Sequence, residues 1–223
     1  MRKIFEDENF LFIDKDCNLN FHSTYNSKSL IDMVRERFNI DNLYTLHRLD
    51  KVSSGVIVFG KNIESVRRFN ILLTNKKLSK YYIALSDRKP KKSMGKVVGD
   101  MIKSRGGSYK LLKSNKNPAI TLFSSRSLVS SIRLFLIKIL TGKTHQIRVA
   151  MKSLGSPIIG DERYGSKVES ERVYLHSYKI SFTDQGRKYS VSILPNSGKL
   201  FKENISILEK KIVEASYKID TLS

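Results

Sequence analysis

The chain has 223 residues, with 41 Lys and Arg against 21 Asp and Glu, and a formal net charge of +20. Hydrophobic residues make up 40%, which excludes a disordered chain and allows one large domain with a substantial core. No stretch reaches the roughly 20 apolar residues that cross a bilayer, the start MRKIFEDENF has no apolar signal core, and the positive field draws polyanions, nucleic acid ahead of an acidic membrane surface. A cytoplasmic protein is therefore expected. Its one cysteine, Cys17, permits no intrachain disulfide and agrees with a reducing compartment.

Lys3 to Phe5 and Phe10 to Asp14 read as strands joined by the acidic turn Glu6-Asp7-Glu8-Asn9, the second apolar on both faces and so suited to burial. Asn18, in the loop that follows, can take a left-handed backbone. His22 reads as a loop or core residue. Ser29 to Phe38 reads as a helix capped by Ser29, with Leu30, Met33, Val34 and Phe38 on one stripe. The run Leu46-His47-Arg48-Leu49-Asp50-Lys51-Val52-Ser53-Ser54 packs an imidazole, a guanidinium and a carboxylate into one loop. It turns at Gly55 into the strand-like run ending at Gly60.

Asn62 to Asn75 reads as a helix with Ile63, Val66, Asn70 and Leu73 on one face, widened by Phe69 and Leu72, and with Arg67 and Arg68 turned to solvent or a polyanion. Leu78 to Leu85 reads as a strand in which Tyr81 and Tyr82 point to opposite sides. Asp87 to Asn117 is basic and loop-like, with strand-like Val97-Val98 inside it. Lys89-Pro90-Lys91-Lys92 and Lys110 to Lys116 are candidate phosphate contacts. Ala119 to Phe123 and Ser131 to Leu140 read as strands. Thr144 is a plausible cap, and Gly155 a plausible stop, for a helix carrying Arg148 near its first turn. Leu175 to Phe182 and Lys188 to Leu194 read as strands, and Lys199 to about Ile219 as a helix that packs through Leu200, Ile205, Leu208, Ile212 and Ile219.

Three of these segments together resemble the RluA family of RNA pseudouridine synthases. His47-Arg48-Leu49-Asp50 followed by Ser53-Ser54-Gly55 is similar to that family's H-R-L-D-x-x-T-S-G. Lys80, Tyr82 and Ala84 match K-x-Y-x-A. Thr141-Gly142-Lys143-Thr144-His145-Gln146-Ile147-Arg148-Val149, with Leu154-Gly155, Pro157, Gly160-Asp161 and Tyr164-Gly165 beyond it, resembles T-G-R-T-H-Q-I-R-V-H and L-G-x-P-I-x-G-D-x-x-Y-G. Lys143 stands where Arg is usual and Ala150 where His is usual. The N-K-P-x-G segment of the family lacks its Pro and Gly in Asp14 to His22.

The resemblance implies an α+β fold with a mixed, largely antiparallel sheet and flanking helices, formed by one catalytic domain over residues 1–223 without an added S4 domain. It implies isomerisation of uridine in ribosomal or transfer RNA, with no metal and no cofactor, by a protein expected to be a monomer without an obligatory protein partner. Asp50 would be the catalytic carboxylate, Arg148 its charge partner and Tyr82 the ring that stacks on the extruded base. Arg48, His47, Lys80, Lys143, Thr144 and His145 are the further candidates at the RNA site, among which His47, Thr144 and His145 read as supports of loop geometry. Asp161 reads as a turn residue. Rival readings are a catalytically inactive RNA-binding protein or chaperone, a basic ribosomal protein, and a hydrolase using Ser54 or Ser156, for which the G-x-S-x-G elbow is absent.

Overall fold

The structure is a computed structural model that describes residues 1–21, 23 and 28–222. His22 lies outside the described residues. The chain divides into two compact units, Met1–Ser79 with Ser177–Ile193, and Lys80–His176 with Leu194–Ser223.

In chain order the first unit begins with β1 (Arg2–Glu6), β2 (Phe10–Lys15), helix α1 (Leu30–Phe38), the short β3 (Tyr44–Thr45), β4 (Ser54–Gly60) and helix α2 (Ile63–Thr74). Strand β5 (Ser79–Ser86) leads into the second unit, which continues with β6 (Met94–Gly99), β7 (Met101–Lys103), β8 (Tyr109–Leu111), β9 (Ala119–Val129), β10 (Ile132–Ile139) and helix α3 (Gln146–Ser153). Strand β11 (Leu175–Asp184) returns to the first unit, where β12 (Arg187–Ser192) pairs with it. Helices α4 (Lys199–Glu203) and α5 (Ile205–Ile219) complete the second unit.

In the first unit the strands follow the order β1-β2-β4-β11, with β3 on β4 and β12 on β11. The β1–β2, β2–β4, β3–β4 and β11–β12 ladders are antiparallel. Every residue of β2 and of β4 is buried, as expected of a run apolar on both faces. Phe10, Phe12, Val56, Val58, Phe69, Phe182 and Tyr189 form the core. The Phe10 ring meets Phe182 edge-on at 5.2 Å, and Phe182 stacks on Tyr189 at 5.0 Å; each such pair adds about 0.5–1.5 kcal/mol beyond the area buried.

This aromatic core sets the orientation of α2. Phe69 and Ser65 are its buried residues, and Val66 and Leu72 pack against the core, whereas Ile63, Asn70 and Leu73 are exposed, so only the Val66, Phe69 and Leu72 side of the predicted face turns inward. Arg68 does not point to solvent as predicted. Its Nε donates to both carboxylate oxygens of Asp184 at 3.0 Å. Arg67 does face outward, beside Glu64. Helix α1 starts where predicted, with the Ser29 hydroxyl accepting from Asp32 N–H.

In the second unit the order is β5-β10-β9-β6, antiparallel throughout. Leu208, Ile212, Ala215 and Ile219 of α5 are buried and recur every three or four residues, so the helix lays one stripe against β9 and β10. The tail is two helices rather than one, broken at Asn204. The segment from 87 to 117, read as mostly loop, holds β6 and the β7–β8 hairpin.

The start of α4 is tied to the entry of β11. The Tyr174 hydroxyl donates to Glu171 Oε1 at 2.6 Å and accepts from Leu200 N–H, and Glu171 also accepts from Lys199 N–H. The bond from Tyr174, then that from Lys199, holds the Glu171 carboxyl well below the usual carboxylate range, at about 2. The unfolded chain therefore takes up this proton first, so the contribution is complete above pH of about 4.5 and is lost as pH falls toward about 2. Glu171→Gln is expected to flatten the fall of melting temperature in that window while leaving the neutral-pH slope unchanged, as read by thermal melts at stepped pH.

Candidate active site

The loop carrying Arg48 and Asp50 is fixed from below by Lys15, the last residue of β2. Lys15 is fully buried, and its ammonium donates to the backbone oxygens of Ser53 at 2.7 Å, Asp16 at 3.0 Å, Lys51 at 3.3 Å and Asp50 at 3.4 Å. A buried ammonium is tolerated only where acceptors converge on it, so the polar end of β2 and the loop before β4 form one unit. The Ser53 N–H and hydroxyl both turn back on the Asp50 carbonyl, at 3.1 and 2.9 Å. Asn18, left-handed at φ 64° as its sequence position suggested, donates its N–H to the Lys51 carbonyl at 2.8 Å.

Gly55 has φ +106°, and a Cβ there would collide with the Ser177 carbonyl oxygen, which explains the glycine at the turn into β4. His47 Nε2 accepts the Val58 N–H at 3.1 Å, and its ring stacks on Phe69. It thus supports the loop, with the proton on Nδ1 in its neutral form. Asp50 is half-buried and Arg48 exposed. The Arg48 guanidinium lies over the Phe21 ring, 5.7 Å from its centroid. A cation over a ring face is attracted by the ring quadrupole.

The second unit presents its own cluster. Arg148, in the first turn of α3, is buried and makes a two-point ion pair with Asp161, Nε to Oδ2 at 2.7 Å and Nη2 to Oδ1 at 2.8 Å. Its guanidinium carbon sits 4.8 Å from the centroid of the Tyr164 ring. The Tyr164 hydroxyl meets His145 Nδ1 at 2.8 Å and accepts from Tyr109 N–H. Asp161 and Tyr164, from the segment that follows α3, thus converge on one guanidinium, and His145 holds the Tyr164 hydroxyl. Asp161, read from the sequence as a turn residue, is the two-point partner of Arg148. Gly160 before it has φ +80°, and a Cβ there would strike the Arg172 carbonyl oxygen.

Thr144 does not cap α3. His145 holds the cap position with a left-handed backbone, φ 57°, and makes no side-chain cap bond. The turn is held instead by Gln146, whose side-chain oxygen accepts from Lys143 N–H and the Thr141 hydroxyl while its amide donates to the Ile120 carbonyl. Gly155 follows the helix with φ +71°, as expected of a stop. Lys143 reaches Asn117 through its ammonium at 2.8 Å. On β5, Lys80 and Tyr82 are buried and share a face, while Tyr81 on the opposite face donates to Asp220 at 2.6 Å. Burial lowers the Lys80 pKa. Ser54 and Ser156 are both buried, so neither offers the exposed nucleophile a serine hydrolase needs.

The model of the RNA pseudouridylate synthase family matches residues 9–153. The chain belongs to that family. It is 42% identical to an RNA pseudouridine synthase of Haemophilus influenzae over 199 residues, 89% of each chain. It is 31% identical to the ribosomal large subunit pseudouridine synthase C of Rickettsia felis, over 82% of this chain and 63% of that one. Among solved structures the synthase resembles human RNA pseudouridylate synthase domain containing 4, with TM-score 0.74, 20% identity and coverage of 93% and 92% of the two chains. The corresponding values for human RNA pseudouridylate synthase domain containing 1 are 0.72, 21%, 87% and 82%. These likenesses bear out the α+β fold, with its largely antiparallel sheet and flanking helices, and the isomerase class. The loop of Asp50, the strand of Tyr82 and the helix of Arg148 all lie inside the matched residues 9–153.

Proposed function

We propose that this RluA-type synthase converts uridine to pseudouridine in ribosomal or transfer RNA, with Asp50 as the catalytic carboxylate. The observation that supports Asp50 most is its setting: the backbone around it is clamped by the buried Lys15 ammonium and the Ser53 side chain, while the carboxylate itself stays on a half-buried loop. Such clamping is what a reacting group needs, because small displacements of it are costly in rate.

In the reaction the bond from ribose C1′ to uracil N1 breaks, the base turns, and C1′ bonds to C5. The C5 proton leaves and N1 gains one, so the process is redox-neutral. Asp50, ionised, attacks the ribose or removes a proton from it. Arg148, oriented by Asp161 and Tyr164, is proposed as the charge partner of Asp50. The target uridine leaves its stack at a cost of about a few kcal/mol, its base stacks on the Tyr82 ring, and Arg48 engages the strand it left. The surplus of basic residues supplies the sequence-independent attraction. The protein works as a cytoplasmic monomer.

Purified protein incubated with ribosomal RNA and transfer RNA transcripts tritiated at uracil C5 is expected to release tritium and to leave pseudouridine at defined positions. Comparison of pseudouridine maps from cells with and without the gene then names the site. Absence of tritium release from either RNA class, and of any position lost on deletion, overturns the reading.

A further inference from the structure

A groove of about 520 Å³ opens in the second unit between the start of β6 and the end of α3. Its rim carries Lys91, Lys92, Lys96 and Lys152, and Met94 and Leu154 are in its floor. All four lysines are exposed, no acidic residue lines the groove, and among the described residues none of the four is paired with a carboxylate. Gathering four cations without internal neutralisation costs repulsive energy, which a bound polyanion relieves. The groove also lies at the C-terminal end of α3, whose dipole disfavours anions; the four ammonium charges outweigh the roughly half charge of that end.

The floor narrows the choice of polyanion. Met94 and Leu154 are half-buried and Phe123 closes the base of the groove. Double-stranded RNA turns its bases inward and offers phosphates alone. A single strand offers phosphates to a lysine rim and a base to an apolar floor at once. We infer that this groove binds an unpaired stretch of RNA, its phosphates on Lys91, Lys92, Lys96 and Lys152 and a base against Met94 and Leu154. It is a contact additional to the nucleotide that reacts. Of the two basic clusters visible in the sequence, the structure assigns this task to Lys91-Lys92; Lys110 to Lys116 lie on and after the β7–β8 hairpin.

The inference rests on RNA as the ligand but not on isomerisation, because binding is measured without turnover. The probe is a short oligouridylate, titrated at several salt concentrations against the K91Q/K92Q/K96Q/K152Q protein. The control is K188Q/K202Q/K210Q/K218Q, which removes the same charge from exposed positions outside the groove. The groove variant is expected to bind about tenfold or more weakly at low salt, and its salt slope to fall by about 2 to 3, at about 0.7 per single-strand phosphate contact. The control should retain most of its slope. A matching RNA duplex should compete poorly, and a 4-thiouridine version of the probe should crosslink to peptides holding Met94 or Leu154. Equal loss in both variants, equal competition by duplex, or crosslinks confined to other peptides would overturn the groove assignment. An Asp50→Asn protein that binds and crosslinks normally leaves the groove standing. A failed groove with normal tritium release leaves the isomerase standing.

Discussion

Asp50→Asn protein is expected to fold, to bind RNA with nearly wild-type affinity, and to lose pseudouridine formation by about 10⁴-fold or more, the scale of removing a nucleophile or its base. The substitution keeps the side-chain shape. It keeps the bonds of Lys15 and Ser53 to the backbone oxygen of residue 50, which hold the loop. Affinity should survive because it comes mainly from phosphate neutralisation spread over many lysines and arginines. Tritium release from uracil-5-tritiated RNA and filter binding on the same preparations separate the two effects. Turnover within tenfold of wild type would remove Asp50 from the chemistry. Lost binding together with lost turnover would point instead to a damaged loop.

Asp161→Ala is expected to destabilise the protein by about 3–5 kcal/mol, because it strands the buried Arg148 guanidinium without its two-point partner. The Tyr164 ring beneath that cation cannot compensate, since a cation–π contact contributes only about 0.5–2 kcal/mol. The double substitution Arg148→Met with Asp161→Leu removes both charges and should recover most of the loss. Urea denaturation of the wild type, each single variant and the pair gives the coupling directly. Additive losses would show that the two side chains do not depend on each other. The double variant should nevertheless be inactive, because under the proposed mechanism it lacks the charge partner of Asp50, so stability and activity would separate.

Much of this molecule could be read from local pattern. Runs apolar on both faces, such as Phe10 to Ile13 and Val56 to Phe59, announce buried strands because a strand's alternating side chains leave no polar face to solvate. The Asp50 loop and the Arg148 helix could be read because their residue types occur in fixed order next to strong strand and turn signals. The orientation of α2 could not. Ile63, Val66, Phe69, Ile71, Leu72 and Leu73 are apolar around most of its circumference, and the face that turns inward is chosen by the rings of Phe10 and Phe182. Periodicity contains no information about those distant partners.

The amino-acid order by itself determined the strand and helix segments, the positive field and the three motifs that mark the family, since each depends on neighbours within a few residues. Only tertiary structure decided that Lys15 holds the Asp50 loop, that Asp161 and Tyr164 enclose Arg148, and that Lys91 and Lys152 share one groove. In each case the energy depends on groups brought together across a turn or from separate strands. Burying an ammonium or a guanidinium is unfavourable until those acceptors meet it, so the pairing exists only once the chain has folded.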